Sequence, residues 1–418
     1  MAFVDVVNPA IVEVIPKVEA IYKELHMAPE LSMQEFNTAA KVAAYLRNIG
    51  VEVTEKVGVT GVVAQIKNGE GPVIMLRADM DGLPMKEDTG VDYACTATTV
   101  DKSGKTVPLA HACGHDMHIT WLLGALTVMN ASKNAWKGTV IGIFQPGEEI
   151  AAGSKAMLAD GLMDRFPKPD IILGQHLVQG MAGTCSYRAG QILTAGDSMK
   201  VTFYGKGGHG GMPNNAIDPI IMAASAVMRL QAVVAREVPP QTQAVITVGE
   251  FHAGTAENII PDEAYIKLNI RTTDEEVREH VLAAVKRVCD AEAAASNAPK
   301  MPSYEPINDF PLTVNDKEAT MKIAEAFAEH FGQENVTECP PAGASEDFSR
   351  YGRAWNVPYV YWFVGGTAPE KYAKAVAEGT VATLPGPHSP FWAPVLHPTI
   401  EHGIKTMLIA AGLWLIKK

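Results

Sequence analysis

The 418-residue sequence predicts an α/β fold in which one α/β domain is interrupted by an inserted α+β domain. Short, apolar, β-branched segments alternate with helical segments in the first part of the chain. This pattern is typical of a mostly parallel sheet with helices on both faces. Later the order changes to strand–helix–strand–strand–helix, before the α/β character returns. We therefore expect residues 1–190 and 305–418 to form one domain and residues 191–304 to form the other.

The expected α/β domain begins with two helices. Apolar residues recur at helical spacing from about residue 8 to residue 49, and the segment MAPE at residues 27–30 divides this stretch. Apolar, β-branched segments predict strands at residues 61–66, 72–77, 138–144 and 170–173. Helices are expected at residues 116–130, 155–162 and 402–416.

The inserted segment has a different element order. Strands are expected at residues 198–204, 244–249 and 264–271, with a last strand near residues 300–306. Amphipathic helices are expected at residues 218–236 and 274–295. Over about 110 residues, this order fits a four-stranded antiparallel sheet with two helices.

Composition and charge exclude several classes of partner. The chain has 35 Lys plus Arg against 47 Asp plus Glu, a formal charge of −12, whereas nucleic acids and anionic membranes favour clustered basic residues. No apolar run approaches the roughly 18–20 residues of a membrane span, and the first residues lack a signal-peptide pattern. Five cysteines at irregular spacing argue against a disulfide framework. We therefore expect a cytoplasmic protein with no nucleic-acid or membrane partner.

Residues that can bind metals gather after the predicted strands. Asp79 and Asp81 follow one strand and Glu148 and Glu149 another, while Gln175-His176 follows a third. The segment HACGHD at residues 111–116 precedes a helix. In an open α/β sheet, the ligand site lies beyond the carboxyl ends of the strands. Because carboxylate, imidazole and thiolate groups would repel one another or stay protonated there, the pattern predicts a divalent metal or a metal pair.

Each of these residues also has a simpler interpretation. His176, Asp79 and Asp81 could form only loop hydrogen bonds, and the two glutamates could be a solvated acidic pair. Cys113 and His115 can chelate a metal from an extended turn, where Gly114 leaves room for the metal to approach. His118 is expected to pack or to support a ligand rather than to bind metal. Adjacent carboxylates point in different directions, so one of the two glutamates can bind metal while the other acts as general base.

Several spaced segments resemble the M20 metallopeptidases. The resemblance is to the amidohydrolase branch that includes hippurate hydrolases, N-acyl-amino-acid hydrolases and plant auxin-conjugate hydrolases. It rests on ELHMAPELSMQE (24–35), RADMDGLPM (77–85), HACGHDMH (111–118), FQPGEE (144–149), GQH (174–176), GKGGHGGMP (205–213), ENIIPDEA (257–264), ASEDFS (344–349) and PHSPF (387–391). It implies a zinc-peptidase-like catalytic domain, a ferredoxin-like lid used in dimerisation, and two divalent metal ions per subunit (Zn, Mn, Co or Ni).

The resemblance also implies roles for particular residues. The metal ligands fall on Cys113, His115, Glu149, His176 and His388. The general base falls on Glu148, and His209 becomes an oxyanion or substrate contact. Asn258 and Arg271 fall on the groups that hold the substrate carboxylate.

Some of these assignments have rivals in the sequence. His397 could be mistaken for the ligand His388, but it precedes a proline at an expected helix start, which favours a structural role. Arg271 could instead form a surface ion pair, and His209 could be a surface histidine in a glycine turn. The resemblance further implies a homodimer or higher homo-oligomer, in which each lid presents His209 to the partner's metal centre.

The expected reaction is hydrolysis of the C–N amide bond of a small N-acyl amino acid. A dipeptidase or carboxypeptidase of the same fold is the alternative within enzymology. A catalytically silent binding protein would be expected to lose the base or the ligands, yet Glu148 and all five ligand positions are intact. A thiol enzyme using Cys113 is disfavoured because carboxylates accompany the cysteine.

Overall fold

The computed structural model describes residues 3–416, which divide into two units. The first unit comprises residues 3–192, Val314–Pro340 and 347–416. The second comprises Leu193–Thr313 and Pro341–Glu346. The sequence places the end of the inserted segment at residue 304. In the structure its last strand continues to Phe310, because the strand stays paired with its neighbour as far as Gly196↔Phe310.

The elements follow the predicted order along the chain. The first stretch contains α1 (Phe3–His26), α2 (Phe36–Asn48), β1 (Glu52–Val57), β2 (Gly61–Asn68), β3 (Val73–Asp79), β4 (Thr98–Val100), β5 (Thr106–Pro108), α3 (His115–Ala131), β6 (Gly138–Gln145), α4 (Gly153–Ala159), α5 (Leu162–Arg165), β7 (Ile171–Met181), β8 (Cys185–Tyr187) and β9 (Gly190–Leu193). The middle stretch contains β10 (Ala195–Tyr204), β11 (Gly208–His209), α6 (Pro219–Glu237), β12 (Ala244–Ala253), β13 (Ile259–Ile260), β14 (Glu263–Thr272), α7 (Glu275–Ala295) and β15 (Lys300–Phe310). The last stretch contains β16 (Thr313–Asn315), α8 (Lys317–Phe331), β17 (Val336–Glu338), α9 (Ser349–Trp355), β18 (Tyr359–Thr367), α10 (Pro369–Glu378) and α11 (Thr399–Leu415).

The first unit is built on an eight-stranded sheet. Its strand order is β1-β2-β6-β3-β7-β18-β8-β17. The four central strands, from β6 to β18, are parallel, whereas β1, β2 and β8 add antiparallel neighbours. Parallel strands direct their carboxyl ends to the same edge of a sheet, so the loops after β3 and β6 meet there. The predicted α/β fold is confirmed.

Helices cover both faces of this sheet. Helix α3 is buried on nearly all sides, as expected for a helix that is apolar all round, and α1 and α11 pack against it. Alternate strand residues such as Leu76 and Val140 join this core cluster. Because successive side chains of a strand point to opposite faces, Met75 and Ile141 face the other side, where α4 packs on β6 and α9 on β7.

The second unit is an antiparallel sheet with two helices. The strand order is β12-β14-β10-β15, and α6 and α7 pack on it. Strand β14 alternates between buried and partly exposed residues, which is the pattern of a strand with one covered face. Asp218 and Asp274 cap the two helices through hydrogen bonds from the backbone N–H of Ile220 and Val277. By length and composition alone α6 is long and apolar enough to cross a membrane. In the structure 33% of its apolar window is buried, and those residues pack in the core of this unit.

Two predicted elements differ from the observed ones for local reasons. The expected helix at residues 155–162 is broken into α4 and α5, because Gly161 adopts the left-handed conformation (φ 80°) between them. The expected strand at residues 170–173 continues as β7 to Met181. His176 therefore lies within a strand rather than in the loop after it.

Candidate metal centre

The ends of three neighbouring strands create the site. In the parallel pair β3 and β6, Asp79 lies opposite Gln145, so the loops that carry Asp81 and Glu148-Glu149 start side by side. Strand β3 stays paired with β7 only as far as Arg77↔Gly174, whereas β7 continues. His176 thus lies just past the last paired residues of β3 and β7, level with Asp79 at the end of β3, and the sheet edge is still the place where these groups meet.

The N-terminus of α3 brings in Cys113 and His115. Gly114 lies between them with φ 85°, and a Cβ atom on it would lie 2.6 Å from Cδ2 of Leu177. Only glycine fits both the backbone angle and this contact. The turn places Sγ of Cys113 3.6 Å from Nε2 of His176.

Of the five groups of three residues in the described chain that could each hold a metal ion, two share Cys113. One group is Cys113, His115 and His176; the other is Cys113, Glu149 and His388. Within each group, the candidate ligand atoms lie within 4.8 Å of one another. A cysteine sulfur common to two sites is a geometry suited to a pair of ions rather than to one.

His176 and His115 each use Nδ1 in a hydrogen bond, which leaves Nε2 of each ring available to bind a metal ion. Nδ1 of His176 donates to the carbonyl oxygen of Leu177 (2.6 Å), so Nε2 holds the lone pair of the neutral ring. Nδ1 of His115 donates to Oδ1 of Asp81 (3.1 Å). Among residues 3–416, buried Nε2 of His115 and Oε1 of Glu149 have no hydrogen-bond partner. A divalent cation would satisfy both atoms, and the thiolate, imidazole and carboxylate donor set suits zinc-like ions.

The charges of the side chains support the same conclusion. Burial, followed by the charges of Glu149 and Glu148, raises the pKa of the Cys113 thiol well above its usual range. Burial disfavours the charged form of His115, but Asp79 and Asp81 outweigh it and raise the pKa of this imidazole to about 10. Without a cation, the site would therefore hold protons on its sulfur and on one imidazole. A divalent ion replaces those protons when it binds.

Two buried aspartates orient the surrounding groups. Besides His115, Asp81 accepts hydrogen bonds from Oγ of Ser32 (2.7 Å) and from the backbone N–H of Glu149 (3.0 Å). Asp79 accepts from Nδ1 of His118 (2.5 Å). Nε2 of His118 accepts from the backbone N–H of Leu177 (2.8 Å), so this histidine has no nitrogen left for a metal.

His388 joins the cluster from a loop in the last stretch of the chain. Its backbone has φ 67°, and its N–H donates to the carbonyl oxygen of Ala112 (2.7 Å). Nε2 of His388 lies 3.3 Å from Oε2 of Glu149. His397 is the other histidine that the sequence offered for this role. Its Nδ1 lies 2.6 Å from Oε1 of Glu401 and its Nε2 lies 3.2 Å from Oε2 of Glu19, and it belongs to no candidate metal group of residues 3–416.

In the second unit, His209 and Asn258 lie together. His209 pairs with Ile259 in the short ladder β11–β13, and the N–H of Gly210 donates to the carbonyl oxygen of Asn258 (2.8 Å). Both residues are exposed. Nδ1 of His209 accepts from the N–H of Gly211 (3.0 Å), so the proton of the neutral ring is on Nε2.

Arg271 lies at the other end of this unit. It is the penultimate residue of β14, whereas Asn258 precedes the first residue of that strand. The ten residues of β14 span roughly 30 Å at about 3.3 Å per residue. Arg271 donates to Oδ1 of Asn269 (3.1 Å) and to Oγ of Ser345. The structure therefore brings His209 and Asn258 together but does not bring Arg271 to them within the unit.

Glu35 was not among the site residues predicted from the sequence. This buried carboxylate accepts a hydrogen bond from the N–H of Gly147 (2.8 Å), next to Glu148. Glu35 ends the segment ELHMAPELSMQE, to which no role had been assigned. An acidic residue in a motif of that kind was the only available signal, because the contact spans 112 residues of chain.

Comparisons with known proteins identify the family of this chain. Residues 75–381 match the family model Peptidase family M20/M25/M40. The chain is 36% identical to the hippurate hydrolase of Campylobacter jejuni (84% of this chain, 89% of that protein). It is 35% identical to an N-acetyl-L-cysteine deacetylase of Bacillus subtilis (82% and 79%).

A solved structure is similar over nearly the whole chain. The Bacillus subtilis YXEP protein, described as a dinuclear metal binding peptidase from the M20 family, matches with a TM-score of 0.74 and 27% identity, covering 95% of this chain and 97% of that one. With the family model and the two relatives, this establishes that the chain belongs to peptidase family M20/M25/M40 and is a hydrolase of amide bonds.

Proposed function

We propose that this hydrolase cleaves the amide bond of N-acyl amino acids with the help of two divalent metal ions. The observation that carries the proposal is the pair of ligand groups that share Cys113, with the carboxylate of Glu148 beside them. The hippurate hydrolase and the N-acetyl-L-cysteine deacetylase, which are similar over most of the chain, are both named for N-acyl amino acids.

The metal ligands are Cys113, His115, Glu149, His176 and His388. Unpartnered Nε2 of His115 and Oε1 of Glu149 support this set, as does the lone pair on Nε2 of His176. Zn, Mn, Co or Ni would supply a Lewis acid and lower the pKa of the water that it binds, toward about 7 for zinc. Asp81 holds His115 and the Glu149 backbone in place for this role.

Glu148 is the general base. It is 5% exposed, and its Oε2 lies 4.0 Å from Nε2 of His115, so it borders the ligand cluster. Its carboxylate accepts a proton from the water that attacks the acyl carbon. The same carboxyl group then donates that proton to the amide nitrogen as the C–N bond breaks, giving a carboxylic acid and a free amino acid.

His209 stabilises the negative charge that develops on the carbonyl oxygen. Its Nε2–H is the available donor, since Nδ1 is used by Gly211. A positioned donor of this kind contributes about 10²–10³-fold in rate. Asn258 and Arg271 bind the substrate, but the length of β14 keeps them from one carboxylate within a single unit. We therefore assign His209 and Asn258, which lie together, to the metal centre of a partner copy in a homodimer.

Amine release from a panel of substrates tests the reaction. The panel contains N-acetyl and N-benzoyl amino acids and dipeptides, with enzyme reconstituted with Zn, Mn or Co. We expect N-acyl amino acids to be cleaved faster than dipeptides, and chelation to abolish cleavage. Full activity of the metal-free protein, or cleavage of dipeptides alone, would show that the proposal is wrong.

Two adjacent substitutions separate the base from the ligand. Glu148→Gln is nearly isosteric and should keep the bound metal while losing several orders of magnitude in turnover. Glu149→Gln should lose metal as well, which elemental analysis measures. Wild-type turnover in Glu148→Gln would exclude it as the base.

Mixed dimers test the assignment of His209. His209→Ala and Glu148→Gln, which are each expected to be inactive, are refolded together. If His209 serves the partner's site, each mixed dimer has one complete site, and a random equal mixture recovers up to about a quarter of wild-type activity. Activity that stays at the baseline of the two variants would place His209 in its own subunit's site.

A further inference from the structure

The turn that carries Glu148 and Glu149 is fixed at both ends by buried carboxylates. The N–H of Glu149 donates to Oδ2 of Asp81 (3.0 Å). The N–H of Gly147 donates to Oε1 of Glu35 (2.8 Å). Glu148 lies between these two anchored peptide groups, so its backbone cannot rotate without breaking one of the two hydrogen bonds.

The carboxylate of Glu35 joins three segments of the chain. Oε1 also accepts from the N–H of Met33 (2.7 Å), and Oε2 accepts from Oγ of Thr60 (2.6 Å). Glu35 is fully buried, and removing it would leave three donors without this acceptor.

Each of these three segments contains a residue with positive φ. Met33 has φ 64° and Gly147 has φ 55°. Val59, which precedes Thr60, has φ 84°, an unfavourable angle for a β-branched residue. Conformations of this kind persist only where the surrounding contacts hold them, and they cluster at functional sites. Glu35 is the common acceptor that holds all three.

The side chain of Glu35 does not cap the helix at whose start it lies. It is the N-cap residue of α2, yet its side chain makes no capping hydrogen bond. Glu30 performs that task, since its carboxylate accepts from the N–H groups of Asn37 (3.1 Å) and Thr38 (2.7 Å). The two acids of this segment thus have different roles. Glu30 caps helix α2, and Glu35 accepts a hydrogen bond from the turn that carries Glu148 and Glu149.

The side chain of Met33 completes the contact with the turn. A Cβ atom on Gly147 would lie 2.6 Å from Sδ of Met33, so the segment fills the space beside this glycine. With φ 55° and no room for a side chain, Gly147 depends on Glu35 for its N–H bond and on Met33 for its packing.

We infer that Glu35 is a positioning residue of the catalytic turn, holding Glu148 and Glu149 in place through the N–H of Gly147. The inference rests on the proposed roles of these two glutamates. Burial and the neighbouring Asp81 raise the pKa of Glu35 to about 7, so the role depends on an acceptor oxygen at the right distance rather than on a permanent charge. Glutamine offers the same oxygen, and its amide can donate to Thr60.

Four variants test this inference. Glu35→Ala should lower kcat by about 10–100-fold and raise the dissociation constant for Co²⁺ by about tenfold, the usual range for groups that orient metal ligands, with a KM within about threefold of wild type. Glu35→Gln should retain most of both properties. Glu35→Asp keeps the charge but shortens the side chain, and should resemble Glu35→Ala. Glu30→Ala is the matched control, since it removes a carboxylate that also accepts from two backbone N–H groups; it should lower the melting temperature but leave kcat and Co²⁺ affinity unchanged.

Co²⁺ affinity is read from the visible absorption of the metal during titration, so it needs no substrate. If wild-type enzyme cleaves none of the amide substrates, the proposed function fails, while the Co²⁺ series still tests Glu35. The inference is overturned if Glu35→Ala binds Co²⁺ and turns over like wild type. It is also overturned if Glu35→Gln loses as much as Glu35→Ala, or if Glu30→Ala loses as much kcat. If Glu35→Ala does not fold, Glu35→Gln is compared with Glu35→Asp. The inference stands if Glu35→Gln keeps kcat and Co²⁺ affinity while Glu35→Asp loses them, and it is overturned if the two variants behave alike.

Discussion

His26 lies between two carboxylates at the end of α1. It is 1% exposed, with Nδ1 2.6 Å from Oδ2 of Asp116 and Nε2 3.0 Å from Oε1 of Glu87. Burial alone would lower the pKa of this imidazole, but the two carboxylates raise it to about 10. Asp116 follows the candidate ligand His115, so this ion cluster supports the first turn of α3. We predict that the charged His26 imidazolium stabilises the first unit and that this stabilisation is lost at alkaline pH.

The direction and size of the effect follow from the pKa. A folded-state pKa above the unfolded value of 6.5 means that the contribution is complete below pH 6.5 and is lost as the pH rises toward 10. The difference corresponds to about 5 kcal/mol at 1.36 kcal/mol per pKa unit. Removing one partner of a buried ion pair costs a similar amount, roughly 3–5 kcal/mol. His26→Gln should therefore lose most of this stability at pH 6 and little at pH 10.

Urea unfolding between pH 6 and pH 10 measures this difference in metal-free protein. The six tryptophans all belong to the first unit, so their fluorescence reports on it: Trp121, Trp136, Trp355, Trp362, Trp392 and Trp414. His397→Gln is the matched control, because His397 also lies between two carboxylates, those of Glu19 and Glu401, but is half exposed. Exposed pairs contribute about 0–1 kcal/mol, so this variant should follow the wild-type curve. Equal pH dependence in wild type and His26→Gln would refute the reasoning.

Four further substitutions, one of them a control, have defined outcomes. Cys113→Ser should lower the metal content measured by elemental analysis, because a hydroxyl is a far poorer ligand than a thiolate for zinc-like ions; an unchanged stoichiometry would remove Cys113 from the ligand set. Gly403→Ala should lower the free energy of unfolding by about 1–3 kcal/mol, since the new Cβ would lie 2.1 Å from Cε2 of buried Trp121. Gly386→Ala in the same unit would place its Cβ 3.4 Å from Cβ of Gln179, an ordinary contact, and should be neutral in the same tryptophan-monitored urea titration. Burial lowers the pKa of His402 to about 4, so the contribution of the neutral ring to stability is complete above pH 6.5 and is lost as the pH falls to 4. In His402→Gln, the free energy of unfolding should therefore fall less steeply between pH 6.5 and pH 4 than in wild type. An unchanged slope in that range would contradict this.

Local sequence patterns determined much of the fold. Runs of β-branched residues located β2, β3 and β6, and helical spacing located α3, α6 and α7, because these periodicities reflect which side of an element is buried. The acids that follow β3 and β6 could be expected at one edge of the sheet, since parallel strands align their ends. The Cys113-Gly114-His115 turn was also visible, because its three residues are adjacent.

Other features were decided only by tertiary structure. The pairing of β7 with β18 places His176 within a strand, opposite Phe363, and the pairing of β10 with β15 sets how far the last strand of the inserted unit extends. Which nitrogen of His176 is free depends on the carbonyl of Leu177, which composition cannot reveal. The contact of Glu35 with Gly147 joins residues 112 positions apart, and that of His26 with Asp116 joins residues 90 apart. Local periodicity records the burial of each element against its own neighbours, whereas the partner of a buried charge is fixed only when distant segments pack and water is excluded.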